Sequence, residues 1–388
     1  MKNILIIQLT RLGDIIQSLP LVKDLRVKYS DAKINILISD VFKECHFLIK
    51  EAEVIPINLD EFVLNNGVIE NEYFNSMIND LNTKKFDKVI NLNNSPISKC
   101  ITKKIICNIK IGFGQSGFST VWTAYITSFL KTRLLNSINL VDLFKIIEAN
   151  DKLVSEENKS KITNKTIESN KKIIGLQCGA RNIKRQFTTK QYTDITEHYL
   201  QQKYKIYLFG VANESKTASE IKQVVKSEDI IDLTGKTDLK QLSEKICECE
   251  RIYSPDTGTM HLAAYLGIPV TALFCGPAYP FETLAYSENI NVFMPDSTYF
   301  SCYPCNDDNH CVNNYKCKQF SFQTIFNNQI NKEFIKLTVG RDELGQVLFP
   351  IDERAKLWRI FTKQYFFKIK GDFFVSEKLN KTISRVSA

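Results

Sequence analysis

The sequence predicts an α/β protein built from two doubly wound domains, each on a mostly parallel sheet, facing one another across a central cleft. Three observations carry that expectation. At 388 residues the chain is longer than one domain usually runs, so two cores are expected. Short apolar runs alternate with helical segments in both halves, which is the rhythm of strand, crossover and parallel strand. Between the halves, Glu148 to Lys172 reads EANDKLVSEENKSKITNKTIESNKK, poor in large apolar residues and without aromatics, as a surface linker would be.

The elements follow in order. KNILIIQ is a strand, the loop with Gly13 leads into a helix through SLPLVKDLRVKY, and KINILIS is a second strand; DKVINLN and IKIGF continue the series. This gives a first domain over 1–150 and a linker over 151–172. The rhythm restarts with KIIGLQCG, YKIYLFG, DIIDLTG, RIYSPDTG and PVTALFCG, each running into a glycine as a strand does at a tight turn. The second domain therefore spans 173–330. Past about residue 320 the rhythm is lost, and 331–388 reads as a C-terminal extension. Its segment 351–388 has nine Lys/Arg against four Asp/Glu, interleaved with aromatics. It suits a terminal helix packed on the body, or a segment lying on an anionic bilayer surface.

Composition sets the class. Hydrophobic residues at 44% and charged residues at 24% are ordinary for a soluble globular protein. No run reaches the roughly 18–20 apolar residues of a membrane span, and NILIIQL is too short for a signal peptide and lacks a cleavage site. A cytoplasmic protein is expected. Eleven cysteines, scattered except for one group, argue against a secreted disulfide framework. The formal charge of +8 suggests attraction to something acidic: nucleotide, nucleic acid or membrane.

Ligands bind beyond the carboxyl ends of strands in open parallel sheets, so the residues that follow strands are the candidates. In SPDTGTMHLAAYLG, residues 254–267, a helix starting near Gly258 would point its first N–H groups out of the sheet edge. Those groups and the helix dipole can hold a phosphate, with the Thr257 and Thr259 hydroxyls and His261 as further donors. The alternative is an ordinary turn in which Asp256 or Thr257 caps the helix and His261 packs.

In LTRLGDIIQSLP, residues 9–20, Asp14 enters a helix after a strand and a glycine. It is either a residue favoured by the helix dipole or a general base, since an ordinary aspartate with a pKa of about 3.9 is ionised at neutral pH. Arg11 beside it could orient an acidic ligand. In LQCGARNIKRQF, residues 176–187, Arg181, Lys184 and Arg185 bring three cations to the cleft rim. No Asp-x-Asp pair occurs in the sequence, so these cations and the helix N-terminus would have to neutralise a diphosphate.

Cys302, Cys305, Cys311 and Cys317, spaced C-x2-C-x5-C-x5-C, could close a tetrahedral structural site for zinc or iron, with His310 as a spare ligand. Reduced surface cysteines and disulfides are the alternatives.

Taken together these residues resemble the ADP-heptose glycosyltransferases of glycosyltransferase family 9, the lipopolysaccharide heptosyltransferases. ILIIQLTRLGDIIQSLPLVKDL looks like that family's opening strand, turn and helix, and LTGKTDLKQLSEKICECERIYSPDTGTMHLAAYLGIPVTALFCGPAYP looks like its nucleotide-binding signature. The resemblance covers roughly residues 1–320. It implies a GT-B fold of two Rossmann-like domains, the first on the acceptor side, and inverting transfer of heptose from ADP-heptose to a lipid-linked core oligosaccharide, with no cofactor needed for catalysis. It also implies Asp14 as the base, with Arg11 and Gly13 orienting acceptor or phosphate. Lys184 becomes a cation on the donor phosphates, and Arg185, Asp256, Thr257, Gly258, Thr259 and His261 belong to the donor site. Some family members also carry a cysteine cluster like that at 302–317. A cytoplasmic enzyme in peripheral contact with the inner membrane follows.

The sequence departs from the family where Lys184-Arg185-Gln186-Phe187 replaces the common Lys-Arg-Trp-Pro. Two rival readings are a GT-B transferase with another nucleotide sugar or a protein acceptor and, from a different class, a metal-stapled nucleic-acid-binding protein. The last fits poorly, because the basic residues sit at strand ends beside glycines rather than on an aromatic platform. No nucleic-acid partner is expected.

Overall fold

The computed structural model describes residues 2–62, 64–65, 68–69, 71–114, 138–148, 172–305, 311, 313–326, 333–342 and 345–349. The linker 151–172 (save Lys172), His310 and the basic segment 351–388 lie outside the described residues.

The first half is a parallel sheet of β1 (Asn3–Ile7), β2 (Lys33–Ser39), β3 (Glu53–Ile57), β6 (Lys88–Asn91) and β7 (Ile109–Gly112), in the order β3-β2-β1-β6-β7. A small antiparallel pair, β4 (Leu64–Asn65) and β5 (Val68–Ile69), stands outside it. The continuous apolar runs of β1 and β2 are buried on both faces, as strands of a helix-covered parallel sheet must be. Ile4 of β1 pairs with Ile34 of β2 on one side and with Lys88 of β6 on the other.

Among the described residues up to 114 the α-helices are α1 (Leu12–Lys28), α2 (Glu72–Thr83) and α3 (Pro96–Lys104). The last two start on local signals, since Asn71 Oδ1 accepts from Phe74 N at 2.7 Å and Ser95 Oγ from Ser98 N at 3.1 Å, with Pro96 in the first turn. Arg11, at the N-cap of α1, makes no side-chain cap.

The second half is an eight-stranded sheet in the order β10-β9-β8-β11-β12-β13-β14-β15. Its strands are β8 (Ile173–Gln177), β9 (Lys205–Phe209), β10 (Ile230–Asp232), β11 (Arg251–Pro255), β12 (Val270–Leu273), β13 (Ile290–Pro295), β14 (Phe334–Asp342) and β15 (Gly345–Phe349). The first six are parallel, and β14 and β15 add antiparallel at the edge. The sheet therefore continues beyond residue 330. Alternation in FIKLTVGRD and GQVLF belongs to a hairpin, which the search for strand–helix repeats passes over.

A helix of the first half ties the two halves together. Residues Leu140–Glu148 form α4; Lys145 pairs with Asp24 of α1 at 3.1 Å, while Asn139, just before α4, donates to the Leu284 carbonyl at 2.7 Å. Asp142, fully enclosed, accepts from Tyr286 Oη at 2.7 Å and from Gln346 N at 2.8 Å. A Cβ on Gly345, whose φ is +102°, would run into that carboxylate. Burial pushes the Asp142 pKa up to about 6, outweighing the two hydrogen bonds that pull it down.

Candidate functional site

The carboxyl ends of the central strands of both sheets open on one cleft of about 410 Å³. Two helix N-termini meet there. One belongs to α1; the other is α8 (Gly258–Tyr265), which is preceded in the second half by α5 (Thr189–Gln201), α6 (Ser215–Val225) and α7 (Leu239–Glu248). They touch through glycine. A Cβ on Gly13 would lie 2.7 Å from His261 Cδ2, and one on Gly258 would lie 3.1 Å from Leu12 Cδ2. Gly13 is thus required by close approach, not by an unusual backbone angle.

Asp14 lines the cleft from α1, and its Oδ2 accepts from Thr10 Oγ1 at 2.8 Å. Thr10 in turn accepts from Asn93 Nδ2 at 2.9 Å, and the same amide group donates to Gln8 Oε1 at 3.1 Å. Strand-end amides therefore fix the hydroxyl that fixes the carboxylate. Thr10 and Asn93 carry no motif of their own, and only their places just after β1 and β6 could have singled them out.

The opposite wall comes from the second half. Thr257 stands at the N-cap of α8 but makes no side-chain cap; its Oγ1 pairs with Ser254 Oγ at 2.9 Å. Asp256 turns one carboxylate oxygen to other side chains. Its Oδ2 is 3.1 Å from Arg185 Nη1 and 3.4 Å from Thr283 Oγ1. The Thr257 cap of the ordinary-turn alternative is therefore absent, and Thr257 and Gly258 at the start of α8 line the cleft. His261, 6% exposed, lies 4.0 Å from Asp256 Oδ1, and burial holds its pKa down at about 4 although Asp14 nearby pulls it upward. A neutral imidazole still has one N–H to donate.

The cleft thus brings together Arg11, Gly13, Asp14, Arg185, Asp256, Thr257, Gly258 and His261. Three predicted residues are placed elsewhere. Thr259 is buried, with its hydroxyl committed to Gln177 Oε1 at 2.6 Å; Gln177 Nε2 donates in turn to Glu214 at 2.9 Å. Lys184 is buried and does not line the cleft; burial raises the nearby Cys305 thiol, and the Lys184 charge pulls it the other way. The Lys184 carbonyl accepts from Cys275 Sγ at 3.3 Å, and a Cβ on Gly276 would lie 2.7 Å from that oxygen. The exposed Arg181 is not at the cleft either. Glu282 and Thr283, at the cleft in the single turn α9 (Pro280–Thr283), were not anticipated, because their run PFET resembles ordinary loop sequence.

The cysteines are in the reduced form, and a metal at them has no support among the described residues. No two of the eleven cysteines form a disulfide, and among the described residues no group of three or more His, Cys, Asp or Glu converges as metal ligands would. Cys302 instead accepts from Asn313 Nδ2 at 3.1 Å, and Cys311 from Tyr315 N at 3.1 Å. Spacing brings thiols into one region, but a tetrahedral site also needs their Sγ atoms about 2.3 Å from one point.

Two parallel-sheet domains with strand ends on a shared cleft define the GT-B class of fold. The sequence model of glycosyltransferase family 9 (heptosyltransferase) matches residues 74–316, and the chain belongs to that family. It is 31% identical over 144 residues to lipopolysaccharide heptosyltransferase 2 of Salmonella typhimurium, covering 36% of this chain and 41% of that one. The chain spans less than half the length of this relative. Two solved structures share the fold. Heptosyltransferase II of E. coli is 23% identical with a TM-score of 0.57, covering 75% of this chain and 90% of that one. The family 9 glycosyl transferase of Veillonella parvula is 19% identical with a TM-score of 0.66, covering 84% and 95%. Among the described residues, no helix is long and apolar enough to cross a membrane.

Proposed function

We propose that the protein is an inverting glycosyltransferase that moves heptose from ADP-heptose to a lipopolysaccharide inner-core acceptor. One observation carries this reading: a positioned carboxylate from one half, Asp14, shares a cleft with an uncapped helix N-terminus and an imidazole from the other.

The acceptor hydroxyl gives its proton to Asp14 as its oxygen attacks the anomeric carbon. The bond from that carbon to the β-phosphate oxygen breaks on the opposite face, and ADP leaves with the electron pair. Charge gathering on the phosphate is met by the α8 N–H groups, the His261 N–H and the Arg185 guanidinium. Asp256 holds Arg185 in place until the donor binds. Lys184 is assigned as a second cation on the phosphates, brought in by a turn of the 183–185 loop. No step requires a cofactor, and a metal at the cysteines is not part of the reading. The lipid-linked acceptor places the enzyme at the cytoplasmic face of the inner membrane, where the basic 351–388 segment suits anionic headgroups.

The test is release of nucleoside diphosphate from ADP-heptose and from ADP-, UDP- and GDP-linked hexoses, each with and without delipidated core oligosaccharide. Acceptor-dependent release from ADP-heptose alone is expected. Turnover with another donor overturns the heptose assignment while retaining the transferase, and release indifferent to acceptor overturns transfer to this glycan.

A further inference from the structure

Resting on that reading, the first-half wall of the cleft holds polar atoms that the protein itself does not satisfy. Gln17 lies three residues after Asp14 on α1, so both project from one face of the helix. It is 3% exposed and lines the cleft, yet its Nε2 has no hydrogen-bond partner. Asn94, on the same wall, has a buried Oδ1 that is likewise unpartnered. The neighbouring Asn93 shows what a structural amide looks like here: its Nδ2 donates to Gln8 and Thr10, and its Oδ1 accepts from Ser95 N at 3.0 Å. Buried polar groups are nearly always paired in folded proteins, so two open ones on a single wall beside a general base point to a ligand.

The rest of the wall says what kind. Phe113 and Phe144, both buried at the cleft, offer apolar surface beside the open amides. Among the described cleft-lining residues of the first half, Arg11 and Asp14 alone carry charge. A sugar ring has an apolar C–H face and a rim of hydroxyls that both donate and accept. An open amide donor and an open amide acceptor match hydroxyls better than they match a carboxylate or phosphate, which has no proton to give to Asn94 Oδ1.

We infer that Gln17 and Asn94 bind the hydroxyls of an uncharged acceptor sugar and present one of them to Asp14. Gln17 is then a binding residue for the acceptor, one helical turn from the base, and the sugar that receives the transfer is neutral at its reacting end.

The experiment uses the full-length protein with ADP-heptose and two acceptors, the methyl glycoside of heptose and the methyl glycoside of an acidic ulosonic sugar. Steady-state kinetics are measured for wild type, Gln17→Leu and Asn94→Ala, with ADP affinity by calorimetry as a check on folding. Wild type is expected to prefer the neutral acceptor. Gln17→Leu is expected to raise its KM at least tenfold while the ADP dissociation constant stays within twofold. Asn94→Ala, at a less enclosed residue, gives a smaller rise in the same direction and serves should Gln17→Leu fail to fold. Unchanged acceptor KM in an active, ADP-binding variant overturns the inference, as does wild-type preference for the acidic glycoside. Should the wild type use only another nucleotide sugar, the heptose assignment falls, and the same comparison run on that donor still decides the acceptor subsite.

Discussion

The two walls of the cleft are built on opposite plans. On the second-half wall the charged side chain is already paired, Arg185 with Asp256 and Asp256 with Thr283, around the helix N-terminus of α8. The first-half wall fixes its carboxylate through Thr10 and Asn93 but leaves Gln17 Nε2 and Asn94 Oδ1 open. A preorganised wall suits an anion whose charge grows during the reaction, because its dipoles need not reorganise as that happens. An open wall suits a ligand that completes the hydrogen bonds on arrival, and whose loss leaves buried polar atoms unpaired. Selectivity for the acceptor should therefore be easier to alter than phosphate binding.

The largest effect expected from breaking this comparison is at Asp14. Asp14→Asn keeps the size of the side chain and removes the base, so kcat should fall by about 10² to 10⁴ while ADP affinity measured by calorimetry holds. Loss of both together would make Asp14 a structural residue. Next is Gly13→Ala. A methyl 2.7 Å from a buried imidazole carbon forces the two helix starts apart, and turnover should drop by about tenfold or more, because small misplacements at a reacting centre are costly. A fully active variant would mean that the α1–α8 contact has slack.

Arg185 and Lys184 sharpen the comparison on the second-half side. Arg185→Ala removes charge-assisted bonds worth about 1.5–3 kcal/mol, or roughly 10- to 150-fold in ADP affinity. Lys184→Ala should cost less, since Lys184 is not among the residues that line the cleft. A larger effect at Lys184 would show that the loop turns fully when the donor binds.

The smallest effect concerns pH. Asp142, raised to about 6 from 3.8, keeps its proton better when folded, so its contribution to stability is full below about pH 4 and is lost as pH rises to 6. His261, lowered to about 4 from 6.5, works the other way: the unfolded chain takes up a proton that the folded one refuses, and stability falls as pH drops from 6.5 to 4. Each slope is about 1.4 kcal/mol per pH unit, and the two oppose between pH 4 and 6. Asp142→Asn should therefore steepen the acid loss of Tm in that window. A profile parallel to wild type would place the Asp142 titration elsewhere.

Legibility followed locality. The α8 approach, the α1 approach and the parallel strands were readable because each is a contiguous run whose apolar period, glycine and polar residues report one local conformation. Where the outcome depended on a partner far along the chain, the sequence was mute. Thr259 looked like a phosphate donor until Gln177, 82 residues away, claimed its hydroxyl. Lys184 and Arg185 are adjacent and chemically alike, and only the three-dimensional course of the loop sends one to the cysteines and the other to the cleft. The open amide of Gln17 was invisible for the same reason, since a glutamine in a helix signals nothing until the space around it is known.

The Asp142–Gln346 bond joins residues 204 apart. At a synthesis rate of roughly 5–20 residues per second, α4 leaves the ribosome about 10 to 40 s before the strand that covers its carboxylate exists. During that interval the first half can form its sheet while Asp142 stays ionised and hydrated. The β14–β15 hairpin is thus made after every residue that lines the cleft, and the lid over the Asp142 carboxylate is later in synthesis than the whole of the site beside it.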